Sequence, residues 1–303
     1  MRARVLGSSA GGGLPQWNCA CPNCSAVRHG AANIEARTQD SVLVTTDDGE
    51  AAFLLNASPD VLVQVARAPS LAPRALRHTP IAGVVLTSGD LDHCLGLLSL
   101  REDQPFSVYA TFEVQSRLRE RNVLFRTLAR SPDQVSWRTL ELDRPTFLLD
   151  ASGAPTGIEL TAFALPGKVP RHLEGLFGDE PGDQVGLRLS EGRDVLVYAS
   201  AVAAADATDP HWTEATCLLF DGTFYTSDEL TRLGISERNA EQMAHLPVSG
   251  ANGSSLRLAG LGSRRIYTHV NNTNPMLVRG SRERLAVERL GWEVAHDGME
   301  LLS

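Results

Sequence analysis

Gly83-Val84-Val85-Leu86-Thr87-Ser88-Gly89-Asp90-Leu91-Asp92-His93 is the stretch on which the reading of this chain turns. Its first five residues form an apolar run bounded by a Ser-Gly turn, the pattern of a buried strand. Cys94-Leu95-Gly96-Leu97-Leu98 follows and reads as the start of a helix. Two acids and a histidine between them, at the carboxyl end of a strand, form a compact oxygen and nitrogen ligand set. Loops beyond strand carboxyl ends are where α/β proteins gather their sites.

Working outward, strands are expected at Met1–Gly7, Ser41–Thr46, Ala51–Leu55, Ser107–Ala110, Gly157–Ala164, Val185–Leu189, Val195–Ala199, Cys217–Asp221 and Arg265–His269. Phe112–Arg121, Glu237–Ala244 and Ser281–Leu290 read as helices. Strands in a run, then strands mixed with helices, indicate layered sheet and helix, an α/β class. Asp133–Asp183 is rich in Pro, Gly and acids and is the expected place for long loops over a site. With 303 residues, 43% of them hydrophobic, and no clear linker, residues 1–303 are expected to form a single domain.

The net charge of −8 and the absence of a basic run argue against a nucleic-acid groove. The chain has no long apolar N-terminal core of a signal peptide and no apolar stretch approaching the roughly 18–20 residues of a membrane span. A cytoplasmic protein is the expectation.

Three of the five cysteines crowd into Cys19-Ala20-Cys21-Pro22-Asn23-Cys24. Such spacing favours a metal over disulfides. Zinc prefers thiolates in a closed tetrahedron, so this is a candidate structural zinc site that needs a fourth ligand. Cys94 and Cys217 lie in apolar surroundings and read as core.

Other candidates stand at the ends of apolar runs. His269 ends the strand Arg265-Ile266-Tyr267-Thr268 and enters the turn Val270-Asn271-Asn272-Thr273-Asn274-Pro275. Asp221 ends Cys217-Leu218-Leu219-Phe220. His245 stands near a helix end, and Lys168 sits in the rigid segment Leu165-Pro166-Gly167-Lys168-Val169-Pro170, where it could meet an acidic substrate.

Ser88–His93 resembles the metallo-β-lactamase signature His-x-His-x-Asp-His, with Ser88 and Asp90 in place of the two leading histidines. Together with Cys19–Cys24, Asn56-Ala57-Ser58-Pro59-Asp60, His245-Leu246-Pro247, Ser249-Gly250 and His269–Pro275, it makes the whole chain resemble the pyrroloquinoline quinone (PQQ) biosynthesis protein B family of that superfamily. The resemblance implies a metallo-β-lactamase-like αβ/βα four-layer sandwich with metal at the edge between two sheets. It also implies a step in making PQQ: iron- and O2-dependent hydroxylation of the tyrosine ring of a peptide-derived Glu–Tyr precursor, beside other PQQ-pathway proteins and with a homodimer as one assembly. Two alternatives are a carrier moving PQQ or its precursor toward the periplasm, and a zinc hydrolase. The phosphonate-pathway phosphodiesterases of the superfamily pair a similar cysteine motif with a histidine three residues after a catalytic one. Here that position is Asn272, whose amide oxygen is the expected fourth zinc ligand, with water as the second choice.

Two-metal hydrolases hold a bridging hydroxide between both ions. Ser88 is a poor ligand, so the first metal position is compromised. Asp92, His93 and His269 remain: two histidines and one carboxylate, a set suited to a facial triad for Fe(II) with open positions for O2 and substrate. Zinc fits the same ligands. Asp90 is either a fourth ligand or a group that orients a ligand histidine. Asp221, His245 and Lys168 are candidates for orienting ligands or meeting substrate.

Overall fold

The computed structural model describes residues 1–120, 122–129 and 134–302. Fourteen strands among them form two seven-stranded sheets. They are β1 (Arg2–Gly7), β2 (Ser41–Thr45), β3 (Ala52–Leu55), β4 (Ile81–Val85), β5 (Phe106–Thr111), β6 (Val135–Leu140), β7 (Thr146–Leu149), β8 (Pro155–Ala164), β9 (Val185–Glu191), β10 (Asp194–Ala199), β11 (Cys217–Asp221), β12 (Arg264–Thr268), β13 (Trp292–Val294) and β14 (Glu300–Leu302). The first sheet runs β14-β1-β2-β3-β4-β5-β6, the second β13-β12-β11-β10-β9-β8-β7.

Alternation along the strands explains the layering. Val42 and Val44 of β2, and Phe53 and Leu55 of β3, meet Leu196, Tyr198 and Leu219 of the other sheet in one buried cluster. Their neighbours Leu43, Ala52 and Leu54 point the other way, into a second cluster with Val61, Val114 and Leu118 of the covering helices. Val197, Ala199, Leu218 and Phe220 face a third cluster with Trp212, Leu258 and Val287. Three apolar layers make the four-layer sandwich expected. Strands buried on both faces have no polar face to show, which is why they read as continuous apolar runs. Cys217 packs between the sheets, Cys94 ends the short helix Leu91–Cys94 and packs into the second cluster, and burial pushes both thiols up.

β3–β6 pair in parallel, as do β10–β13. The carboxyl ends of β4, β11 and β12 therefore open at one edge. Bridges Ser9↔Val270 and Ser88↔Gln184 bring the two sheets together at that edge.

Two expectations need correction. Glu237–Ala244 is not a helix; only a 3-10 turn, Glu241–Met243, forms there. Asn239 and Gln242 exchange side-chain-to-backbone hydrogen bonds at 2.9 Å, which take the donors a helix would use, and Ala244 turns left-handed. Much of Asp133–Asp183 is strand, β6 to β8, and only the part after Ala164 loops over the site. Asp133, and Arg121 at the end of the expected helix over Phe112–Arg121, lie outside the described residues.

The turn carrying His93 is packed against the loop after β3. Ala57 N–H donates to His93 O at 2.7 Å and Gly96 N–H to Ala57 O at 2.9 Å. A Cβ on Gly96 would stand 2.2 Å from Ser58 O and 2.7 Å from Ala57 O, both backbone atoms. Gly96→Ala is expected to destabilise the fold by about 1–3 kcal/mol through this overpacking. Urea unfolding at wild-type midpoint would contradict the close approach.

Candidate metal centres

His93, Asp92 and His269 offer ligand atoms that all lie within 4.8 Å of one another. Asp92 and His93 come from the short helix Leu91–Cys94 after β4. His269 is the first residue after β12, with a left-handed backbone (φ 53°). Asp92 Oδ2 lies 3.3 Å from His269 Nε2 and 3.9 Å from His93 Nε2.

Proton bookkeeping fixes both rings. Thr223 N–H and Oγ1–H donate to Asp221 Oδ1 at 2.9 and 2.6 Å, so Thr223 Oγ1 accepts from His269 Nδ1–H at 2.8 Å. Thr87 Oγ1–H donates to Asn56 Oδ1 at 3.1 Å, and Ser88 Oγ–H to Asp90 Oδ2 at 2.9 Å. Both hydroxyls are thus acceptors for His93 Nδ1–H, at 3.1 and 3.0 Å. Each ring carries a proton on Nδ1 and turns its Nε2 toward Asp92. His93 Nε2 is buried and has no partner among the described residues. Leaving such an atom unpaired costs about 1–3 kcal/mol. Two imidazole nitrogens and a carboxylate oxygen converging around it fit a divalent metal ion.

Charge supports the same point. Burial alone would raise the Asp92 carboxyl, but the His93 and His269 rings outweigh it and hold it well below the usual range. Burial pulls His269 down, yet its bond to Asp92 and the charges of Asp92, Asp40 and Asp221 lift it to about 9. A proton or a metal ion must balance Asp92.

Asp90 stands outside this trio. Burial, then repulsion by Asp92, raises its carboxyl. Through Ser88 it orients His93. Asp221 is fully committed: Oδ1 to Thr223, Oδ2 to Val202 N–H at 2.9 Å and His245 Nδ1–H at 2.7 Å. Burial would raise it, but His245 and the hydroxyl donor hold it low. His245 stacks on His269 with ring centroids 5.8 Å apart. Asp90, Asp92, His93, His269, His245 and Lys168 all line one cleft of ≈ 210 Å³. Arg171 and Arg238 line it too, and the sequence reading did not pick them out. Nor did it give Thr87, Ser88 and Thr223 their orienting role, because hydroxyls near strand ends are too ordinary to signal one.

The second centre lies behind this one. Cys19, Cys21 and Cys24 bring their sulfurs within 4.8 Å of each other. Gln16, Cys21 and Cys24 N–H groups donate to them at 3.3 to 3.5 Å. Cys21 caps the helix Pro22–Arg28, with Pro22 at its first position. Partial burial and the neighbouring thiols push Cys21 up to about 11, so three thiolates together need a cation. The side-chain amide of Asn272 ends 3.2, 3.6 and 3.3 Å from the three sulfurs. A tetrahedral zinc with bonds of about 2.3 Å to sulfur and 2.1 Å to oxygen has edges of roughly 3.6–3.8 Å. Nδ2 occupies that corner; a half-turn of the amide puts Oδ1 there.

Comparison with known proteins agrees with the fold. A beta-lactamase superfamily domain matches residues 52–270. The coenzyme PQQ synthesis protein B of Ruegeria pomeroyi is 44% identical over 306 residues, covering 100% of both chains. The crystal structure of Zn(2+)-bound PqqB from Methylobacterium extorquens superposes with a TM-score of 0.91 at 40% identity, over 99% of each chain. A diphosphatase of the PhnP family shares the fold alone, with a TM-score of 0.66 at 20% identity over 100% of this chain and 99% of the other.

Two predictions follow from the geometry. Cys21→Ser should lower zinc content and melting temperature together, because closing such a site contributes to folding. Unchanged zinc per chain would remove the assignment. Glu229 holds the loop after His269: its carboxylate accepts from Tyr225 N–H at 2.8 Å and from the Thr273 hydroxyl. Burial raises it from 4.5 to about 7. Its contribution to stability is therefore full below about 4.5 and lost as pH rises through about 7. Glu229→Gln should flatten the fall in stability across that window, read from urea midpoints at several pH values; an unaltered slope would refute it.

Proposed function

The chain belongs to the coenzyme PQQ synthesis protein B family, and on that premise we propose that it serves PQQ synthesis as an Fe(II)- and O2-dependent hydroxylase of the tyrosine ring in a peptide-derived Glu–Tyr precursor. The observation that carries this reading is the trio of Asp92, His93 and His269, with the bare Nε2 of His93 and one side open to the cleft. Two imidazoles and one carboxylate are the ligand set of non-haem Fe(II) oxygenases.

The surroundings support oxygenation over two-metal hydrolysis. Ser88 is spent on His93, Asp90 and the Asp90 backbone, and both oxygens of Asp221 are already hydrogen-bonded. Neither serves a second ion or a bridged hydroxide. Fe(II) bound by the trio would supply O2 binding and activation. The electrons come from the substrate: a phenol plus O2 gives an ortho-quinone plus water, which balances without an external reductant.

The protein's own groups bind and orient. Lys168 Nζ donates to Gln242 O at 2.8 Å, tying the loop after β8 to the segment that carries His245. Arg171 and Arg238, with Lys168, present positive charge to the substrate's carboxylates, and Glu174 pairs with Arg238 at 3.6 Å. His245 donates through Nδ1 to Asp221, which leaves Nε2 to hold or move the phenolic proton. The Zn(2+)-bound state of the Methylobacterium extorquens protein favours a second reading, a zinc hydrolase. Turnover of a phosphodiester by zinc-loaded protein would select it.

In anaerobically iron-loaded protein, His93→Ala and His269→Ala should abolish iron binding at this site and O2 uptake with a Glu–Tyr substrate, and leave the cysteine-held zinc in place. Asp90→Ala should keep iron and slow turnover by roughly 10- to 100-fold, as an orienting group does. Wild-type hydroxylation by both histidine variants would overturn the site assignment, and no O2 uptake by iron-loaded wild type with a Glu–Tyr substrate would favour a carrier.

A further inference from the structure

Asn23 lies between Cys21 and Cys24 in the chain and is buried. Its Nδ2 donates to Asn272 O at 3.0 Å and to Asn274 O at 2.9 Å, so both amide protons are spent on one loop. That loop begins at His269. Asn272 turns its amide to the three sulfurs. Asn274, fully buried, donates to Gly222 O at 2.9 Å and Thr223 O at 3.2 Å, and its Oδ1 accepts from Met276 N–H at 2.9 Å. Asn271 N–H also donates to Thr223 O, at 3.1 Å. Thr223 is the residue whose hydroxyl fixes the His269 ring.

We infer that Asn23 is a positioning residue that couples the thiolate centre to His269, so that filling the first site tightens metal binding at the second. The inference rests on the two-centre reading above. Its physical content is short. A metal on Cys21 and Cys24 fixes the turn that carries Asn23. Asn23 then fixes the carbonyls of residues 272 and 274. Asn274 carries that constraint to Gly222–Thr223, and Thr223 sets the ring of His269. The left-handed backbone at His269 is a conformation a non-glycine residue leaves when released, so the loop needs an external hold. By linkage the coupling is reciprocal: metal at the Asp92–His93–His269 site must tighten the thiolate site by the same factor.

The test uses full-length protein titrated with Co(II), whose sulfur-to-metal absorption reports the thiolate site separately from the nitrogen and oxygen site. In wild type, the second site should bind Co(II) at least tenfold more tightly when the thiolate site is filled than when its thiols are blocked by Cys21→Ser. Asn23→Ala should keep the sulfur band at full intensity and weaken the second site by roughly 10- to 100-fold, the range for groups that orient a ligand. Asn23→Asp, of equal size but without the two donors, should do the same. Second-site affinity within twofold of wild type in either variant, with the sulfur band intact, overturns the coupling. A wild-type chain that takes Co(II) only at the thiolates would instead overturn the reading of the Asp92–His93–His269 site, so the two failures are distinct.

Discussion

A carboxylate held among imidazoles at the meeting edge of two sheets sets the terms for the rest of this structure. Asp92 lies 3.3 Å from His269 Nε2 and 3.9 Å from His93 Nε2. At an effective dielectric near 20, a unit charge pair at 3.3 Å is worth on the order of 5 kcal/mol. That is comparable to the net stability of a whole domain. Some cation must therefore sit with Asp92, and the site is built so that the cation can be a metal. Both imidazoles have their Nδ1 protons taken by hydroxyls.

Those hydroxyls are themselves anchored, and the anchor is shared. Thr87 donates to Asn56, Asn56 Nδ2 donates to Tyr198 Oη at 3.0 Å, and Tyr198 donates to Asp40. Thr268, the neighbour of His269, donates to the other oxygen of Asp40 at 2.5 Å. Asp40 is thus tied through hydrogen bonds to the residues beside both His93 and His269. Burial raises its carboxyl, partly offset by His269 and its two hydroxyl donors. A buried polar network of this kind is costly unless every member is satisfied. Satisfied, it holds one geometry, which a set of ligands drawn from separate sheets requires.

Much of this was legible in the chain. β2, β3, β4, β10 and β11 are buried on both faces, so hydrophobicity alone located them, and the residues that end β4, β11 and β12 stood out as chemistry meeting a turn. What stayed hidden has a physical reason in each case. β6 is an edge strand, mostly half-exposed, with polar residues on both faces, and carries no clean pattern. β13 and β14 are three residues each, too short for a period to register. The segment around Glu241 has helical spacing, but its asparagine and glutamine side chains compete for the backbone. In the site, ligand residue types announce themselves because few side chains bind metals. Thr223, Thr87 and Asn56 do not, since hydroxyls and amides near strand ends are ordinary. Only the third dimension shows that their protons are committed in one direction.

Ser88, at a histidine position of the signature, and Asp221 illustrate this commitment. Ser88 accepts from His93 Nδ1–H and from Asp90 N–H at 3.1 Å, and donates to Asp90 Oδ2. It is fully used. A histidine there would remove an acceptor that His93 relies on and leave the Asp90 amide without its partner. Asp221, likewise, would have to release His245 or Thr223 to reach an ion, and Thr223 in turn holds His269. Restoring one histidine would therefore disturb the network, because Ser88 and Asp221 are tied to the groups that orient His93 and His269. Where the signature has its two leading histidines, Ser88 and Asp90 instead form a hydrogen-bond network that holds the His93 ring.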